Sequence, residues 1–279
     1  SLYLGKKGYV LIHSSSLLTF GAKEGYEDWN RELKKITDIK FRRAGRFSQA
    51  VLSGALSCLS RSDKVDFSIY FGTANGDVDS TIKSQDNIFL HNRFPLPFSF
   101  INTLSNTPLF FLLQHLGINT LGISLSHSYF AFENALSLAF ADLNADRAKN
   151  ALVGVCDTWY EPKEDAFRLI DKNLYEFSAW ILIDKDERNF VRFFDNFDEL
   201  LENIKQFYKK TAFYFSPCFD ENELKEVEKY IKLQTSTAPK IITNCAAAIV
   251  CEHFSKNETP LFYIGKDLRG GYSFISLYK

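Results

Sequence analysis

The sequence predicts an α/β protein with sheets covered by helices. Three observations point there. Short apolar runs that suit buried strands alternate along the chain with segments of helical spacing. Nothing repeats at a short period, and no segment is low in complexity. The chain has 279 residues, 46% hydrophobic and 24% charged, enough for a substantial core and an ordinary globular composition.

The elements follow in order. Residues 9–13, Tyr-Val-Leu-Ile-His, suit a buried strand. Residues 27–36 are polar with spaced apolar side chains, and a basic cluster follows at Lys40, Arg42, Arg43 and Arg46. Residues 48–60 carry small side chains at helical spacing, as a closely packed helix would. Residues 65–71 alternate as a strand and run into the turn Gly72-Thr73-Ala74-Asn75-Gly76. Pro95 and Pro97 predict an extended loop. Residues 107–116 read as a helix, with Asn106 or Thr107 as N-cap and Pro108 in the first turn. A short strand over 120–125 precedes a strong helical pattern over 130–143. Residues 151–156 and 178–183 are buried strands.

Residues 184–189 form the most polar junction in the middle of the chain. Beyond it, 195–210 is an amphipathic helix and 213–216 is strand-like. Residues 220–233 read as a helix, with Asp220 as N-cap and Glu223 closing a capping box. Residues 241–254 open on an apolar pair and continue as an Ala-rich helix. Strands over 261–264 and 272–278 make a terminal hairpin.

Charge and cysteine usage narrow the function. Lys plus Arg is 33 against 34 Asp plus Glu, a net charge of −1, which argues against a nucleic-acid partner. Charged residues or Asn interrupt every apolar run, so no membrane span is expected. The N-terminus lacks a charged leader followed by an apolar stretch, so no secretory signal is expected. The five cysteines, Cys58, Cys156, Cys218, Cys245 and Cys251, show no C-x-x-C spacing. They read as reduced thiols of a cytoplasmic protein, and Cys156 and Cys245 read as structural. The five histidines are equally scattered, so neither a metal nor another cofactor is expected.

Residues 65–157 carry the candidate site. They run strand, Gly loop, Pro loop, helix, strand, small-residue turn, helix, strand. The turn is Leu125-Ser126-His127-Ser128. A strand that turns sharply into a buried helix suits a nucleophile, because the helix start offers N–H donors and a positive end.

The order of these stretches resembles the β-ketoacyl synthases. Residues 100–108, Phe-Ile-Asn-Thr-Leu-Ser-Asn-Thr-Pro, resemble that family's F-x-N-T-x-x-N segment. Residues 122–128, Gly-Ile-Ser-Leu-Ser-His-Ser, resemble the stretch around its catalytic cysteine. Residues 151–157 resemble its v-l-v-G-g-x-D/E strand, and 269–277 its closing G-G-x-N-a-s-l hairpin. The resemblance spans about residues 40–185 and is weaker over 205–279. It implies a thiolase-like layered α-β-α-β-α fold with two related halves, residues 1–190 and a reduced second half, 191–279.

The departures bear on activity. A ketosynthase needs a cysteine to carry the acyl chain and two histidines to assist decarboxylation. The cysteine position falls on His127, flanked by Ser126 and Ser128. The H-G-T-x-T motif is absent, and G-H-x-x-G-A-A-G is replaced by residues 242–248, Ile-Thr-Asn-Cys-Ala-Ala-Ala. His253 lies out of register.

The resemblance therefore implies a non-catalytic, chain-length-factor-type subunit, similar to the short ketosynthase homologues of aryl-polyene-type pathways. It would pair with a catalytic ketosynthase, or with a second copy of itself, and meet an acyl carrier protein. Asn102, Asn106, Leu125 and Phe130 fall at an acyl pocket or dimer interface, and Arg42, Arg43 and Arg46 at a carrier-protein contact. The strand over 120–125 would pair across the dimer axis. The Phe-rich stretch 89–111 suits an acyl tunnel, the core or the dimer contact. The alternatives are a divergent thiolase-fold acyltransferase or hydrolase using Ser126, His127 or Ser128, and a stand-alone acyl- or partner-binding homodimer.

Overall fold

The computed structural model describes residues 12–21, 28–63, 66–158, 175–207, 212–237, 245–257 and 259–278. The first half runs β1 (Ile12–Gly21), α1 (Asp28–Ile36), α2 (Arg46–Leu59), β2 (Ser68–Thr73), α3 (Val78–Phe89), α4 (Pro97–Asn102), α5 (Thr107–Leu116), β3 (Gly122–Ser126), α6 (Ala131–Asn144), β4 (Asn150–Asp157) and β5 (Tyr175–Asp184). The second runs β6 (Phe190–Phe194), α7 (Phe197–Ile204), β7 (Ala212–Phe215), α8 (Glu221–Val227), β8 (Lys232–Leu233), α9 (Cys245–Lys256), β9 (Leu261–Lys266) and β10 (Tyr272–Leu277).

The strands make two five-stranded sheets of one topology. Their orders are β1-β5-β4-β2-β3 and β6-β10-β9-β7-β8. In each, three strands at one end are parallel and the two at the other end join antiparallel. Helix α6 follows β3 and precedes β4, and α9 follows β8 and precedes β9, so the two helices hold the same place in the two halves.

Three apolar clusters stack these elements into five layers. The first joins α6 and α9 to the facing sides of both sheets. The second packs α1, α2 and α5 on the outer face of the first sheet, and the third packs α7 and α8 on the outer face of the second. The central layer uses small residues. Ala131, Ala135 and Ala139 of α6, and Ala246, Ala247 and Ala248 of α9, are fully buried. Such faces let helix and sheet backbones approach closely.

Gly72 on β2 sits where that approach is tightest. A Cβ there would stand 2.5 Å from the Ala131 carbonyl oxygen, a backbone atom that cannot swing aside. Gly72→Ala is expected to displace the start of α6 and cost about 1–3 kcal/mol. Urea denaturation checks this, and an unchanged midpoint would mean α6 yields freely.

The fold corrects several sequence expectations. Pro97 does not continue an extended loop. It opens α4, where its missing N–H is one of the unpaired donors of a first helical turn. Helix α3 and strand β6 carry no clear signal in the sequence. Only Ser84 of α3 is buried and no residue of β6 is, so neither carries a clear apolar period. The helix expected over 220–233 stops at Val227, and Lys232–Leu233 pairs with β7. Its capping box is present: Asp220 accepts the Glu223 N–H at 2.9 Å, and Glu223 accepts the Asp220 N–H at 3.0 Å. The expected strand over 9–13 lies outside the described residues up to position 11, as do residues 241–244 of the expected Ala-rich helix.

Candidate functional site

The C-terminal ends of β2, β3 and β4 are tied together where β3 turns into α6. Asp157, buried at the end of β4, accepts from the Thr73 hydroxyl at 2.8 Å and from the Ala74 and Asn75 N–H groups at 3.0 and 2.9 Å. The Thr73 hydroxyl accepts the Gly76 N–H at 2.8 Å. The Thr73 carbonyl accepts the His127 N–H at 3.0 Å. A buried carboxylate thus holds the loop that holds the turn. In the sequence Asp157 was only the last letter of a strand motif. Its role depends on loop donors some eighty residues away.

His127 is exposed on this turn. Its Nδ1 accepts the Phe130 N–H at 3.3 Å, satisfying one of the free donors at the start of α6. Ser126 and Ser128 are exposed, and among the described residues neither hydroxyl bonds to a base. The His127–Phe130 contact is a local turn that leads into α6, whose N-cap residue is Phe130.

The other expected site residues separate. Phe130 is buried, its ring 5.9 Å from that of Phe193 on β6, and Leu125 is half-buried on β3. Asn106 is exposed at the N-cap position of α5 without a side-chain capping bond. Asn102 donates to the Arg43 carbonyl at 3.1 Å and braces the basic loop. Arg43 has φ 72°, and its guanidinium lies 3.8 Å from the centre of the exposed Phe98 ring. Arg42 is exposed.

Arg46 lies apart from Arg42 and Arg43, largely buried. Its guanidinium turns inward and pairs at 2.6 Å with Glu176, which also accepts the Trp29 indole N–H at 2.6 Å. Helix α2 begins at Arg46 and packs on β5, so this side chain points at the sheet.

Sequence reasoning missed Glu133. It lies in the first turn of α6, where an acidic residue ordinarily faces water. Here it points into the layer between the sheets and is only 2% exposed. Ser273 on β10 donates to Oε1 at 3.5 Å, and Oε2 has no partner among the described residues. Burial pushes its pKa up to about 8. The available signal was its position among Ala131, Phe132, Ala135 and Leu136, on a helix with little polar face.

His253 is accounted for structurally. Nε2 faces the Thr259 carbonyl at 2.9 Å, and Nδ1 faces the Tyr214 hydroxyl at 3.3 Å. Among the described residues no three His, Cys, Asp or Glu side chains are grouped to hold a metal ion, and no helix is long and apolar enough to cross a membrane.

The stretch from α3 to α5 exposes several large apolar side chains. Phe89, Leu90, Phe94, Leu96, Phe100 and Phe110 are exposed, Phe94 to 97%. Phe111 alone among the phenylalanines of α5 and the preceding stretch packs against the outer cluster. Strand β3 ends the first sheet, so one of its edges has no neighbour within the described chain.

The chain's sequence matches no protein-family model and no curated protein. Solved structures do match. The ketosynthase ApeO in complex with its chain length factor ApeC, from Xenorhabdus doucetiae, gives a TM-score of 0.56 at 13% identity, over 96% of this chain and 100% of that one. The AntDE:AntF complex, a type II polyketide synthase acyl-carrier protein with its ketosynthase bound to the hexaketide, gives 0.67 at 12%, over 95% and 98%. The 3-oxoacyl-[acyl-carrier-protein] synthase III of Aquifex aeolicus gives 0.57 at 12%, over 96% and 99%. This chain has the thiolase-like fold of those structures. In this fold His127 stands on the turn between β3 and α6.

Proposed function

We propose that the ketosynthase-like chain is a chain-length-factor-type subunit. It pairs with a catalytic ketosynthase, shapes the acyl pocket and does not itself condense substrates. Residues 1–190 and 191–279 serve as its two halves. The observation that carries this reading is the exposure of Phe94, Leu96, Phe100 and Phe110, together with the open edge of β3, in a chain whose turn after β3 carries no thiol. Exposed apolar patches of this kind mark contact surfaces, and an open strand edge can pair with another strand. Arg42 and Arg43 would meet the acidic surface or phosphopantetheine of a carrier protein. Similar solved structures include a ketosynthase with its chain length factor and a ketosynthase with its acyl-carrier protein.

Co-expression with a catalytic ketosynthase from the native host tests the proposal. Light scattering on the purified sample is expected to report a 1:1 complex. The pair Phe94→Asp and Phe110→Asp should dissociate it at least tenfold more readily. The complex should elongate malonyl- and acyl-carrier-protein substrates, and the isolated chain should not. Condensation by the isolated chain would overturn the reading. A stable homodimer that ignores the ketosynthase would favour the stand-alone alternative.

A further inference from the structure

We propose that the cavity where β7 and β9 begin and α9 ends binds a neutral, hydroxylated six-membered ring, of the size of a monosaccharide or a cyclitol. Strands β7 and β9 are parallel, so this corner lies at the opposite end of the second sheet from the start of α9. The subunit role proposed above makes no use of it.

The corner has a counterpart in the first half. Strands β2 and β7 hold the same place in their sheets, as α6 and α9 do between strands. On β2 the Tyr70 hydroxyl donates to Asp142, near the end of α6, at 2.7 Å. Arg147, in the loop after that helix, pairs with the same carboxylate at 2.6 Å. On β7 the Tyr214 hydroxyl instead meets Nδ1 of His253, near the end of α9, at 3.3 Å. Asn257 follows that helix, shorter than an arginine and uncharged. The first corner carries an ion pair, and the second a half-open cavity of about 380 Å³.

That volume falls within the roughly 300–1,000 Å³ of small-molecule sites. At roughly 30 Å³ per water-sized group, it has room for about twelve heavy atoms, the number in a hexose.

The lining sets the chemistry. Tyr214, Gln234, His253, Asn257 and Thr259 bring hydroxyl, amide and imidazole groups, and Phe262 adds an apolar wall. Among the described residues no Asp, Glu, Lys or Arg lines the cavity, so a full charge brought inside would meet no counter-ion there. His253 is 5% exposed and held in place. The Thr259 carbonyl, 2.9 Å from Nε2, can only accept, so that nitrogen carries a proton. Gln234 is half-buried, and its side-chain amide has no hydrogen-bond partner among the described residues. Asn257 donates to the His253 carbonyl at 3.2 Å, which leaves its side-chain oxygen to accept.

The Gln234 amide can donate and accept, and the Asn257 oxygen can accept. A ring hydroxyl does both and satisfies either one. A purely apolar ring would displace water from these groups and leave them unpaired.

Saturation-transfer NMR on the intact chain tests the proposal, with D-glucose and myo-inositol as the neutral probes. Both are expected to bind saturably. Glucosamine and glucuronate, which add a charge to the same ring, should bind at least fivefold more weakly, and cyclohexanol, which lacks all but one hydroxyl, at least tenfold more weakly. Gln234→Leu and Asn257→Ala should each weaken the neutral probes at least fivefold while circular dichroism stays unchanged, and His127→Ala should leave binding unaltered. If one of the two cavity variants misfolds, the other carries the measurement. No saturable binding of either neutral probe, equal binding of the charged rings or of cyclohexanol, or folded cavity variants that bind as the native chain does would overturn the proposal.

Discussion

Glu133→Gln is expected to stabilise the protein at pH 7 by roughly 3 kcal/mol, at 1.36 kcal/mol per pKa unit. The carboxyl titrates at about 8 when folded, against 4.5 for an ordinary glutamate, because burial penalises its charge. Between those values the folded state holds a proton that the unfolded chain has released. Stability is therefore full below pH 4.5, falls as pH rises, and levels off above 8. Gln keeps the shape and the Ser273 contact but has no proton to hold. Urea midpoints taken from pH 4 to 9 should fall for the native protein and fall far less for the variant. A variant less stable at every pH would mean that the glutamate is ionised and well partnered.

The second large effect is expected at Arg46. Glu176 is 1% exposed and bridges Arg46 and Trp29, so three elements, α1, α2 and β5, meet on one carboxylate. Removing the guanidinium takes away the 2.6 Å ion pair that balances this buried carboxylate. Arg46→Met should cost about 3–5 kcal/mol. The midpoint of thermal unfolding should drop by roughly 10 °C. Adding Glu176→Leu should recover much of the loss, because the cost lies in the stranded charge more than in the missing attraction. If the double variant is no more stable than the single one, packing of the arginine stem explains the loss instead.

These two residues mark where the sequence stops being informative. Arg46 stands in a run with Lys40, Arg42 and Arg43 and reads as surface charge. Glu133 stands in a first helical turn, where acid is common. Their burial follows from which way α2 and α6 are rolled against their sheets, a choice made by contacts with β5 and β10 far along the chain. The phenylalanines of residues 89–111 show the same limit. Their abundance was visible, but only the packed structure separates Phe111, in a cluster, from Phe94, in water.

Strong local signals did carry through. The run over 151–156 becomes β4, buried along its whole length, because an unbroken apolar strand must lie between covered faces. The Asp220–Glu223 box sits where its spacing placed it, because capping is satisfied within four residues. The alternation of strands and helices, the missing thiol at residue 127 and the polar break before the second sheet were therefore determined by sequence alone. Only the tertiary structure decided that the two halves share one topology, that Arg46 turns inward to Glu176, and that Glu133 is buried between the sheets. Local periodicity sets what each segment can become. Which side chains lose their water depends on partners more than a hundred residues apart.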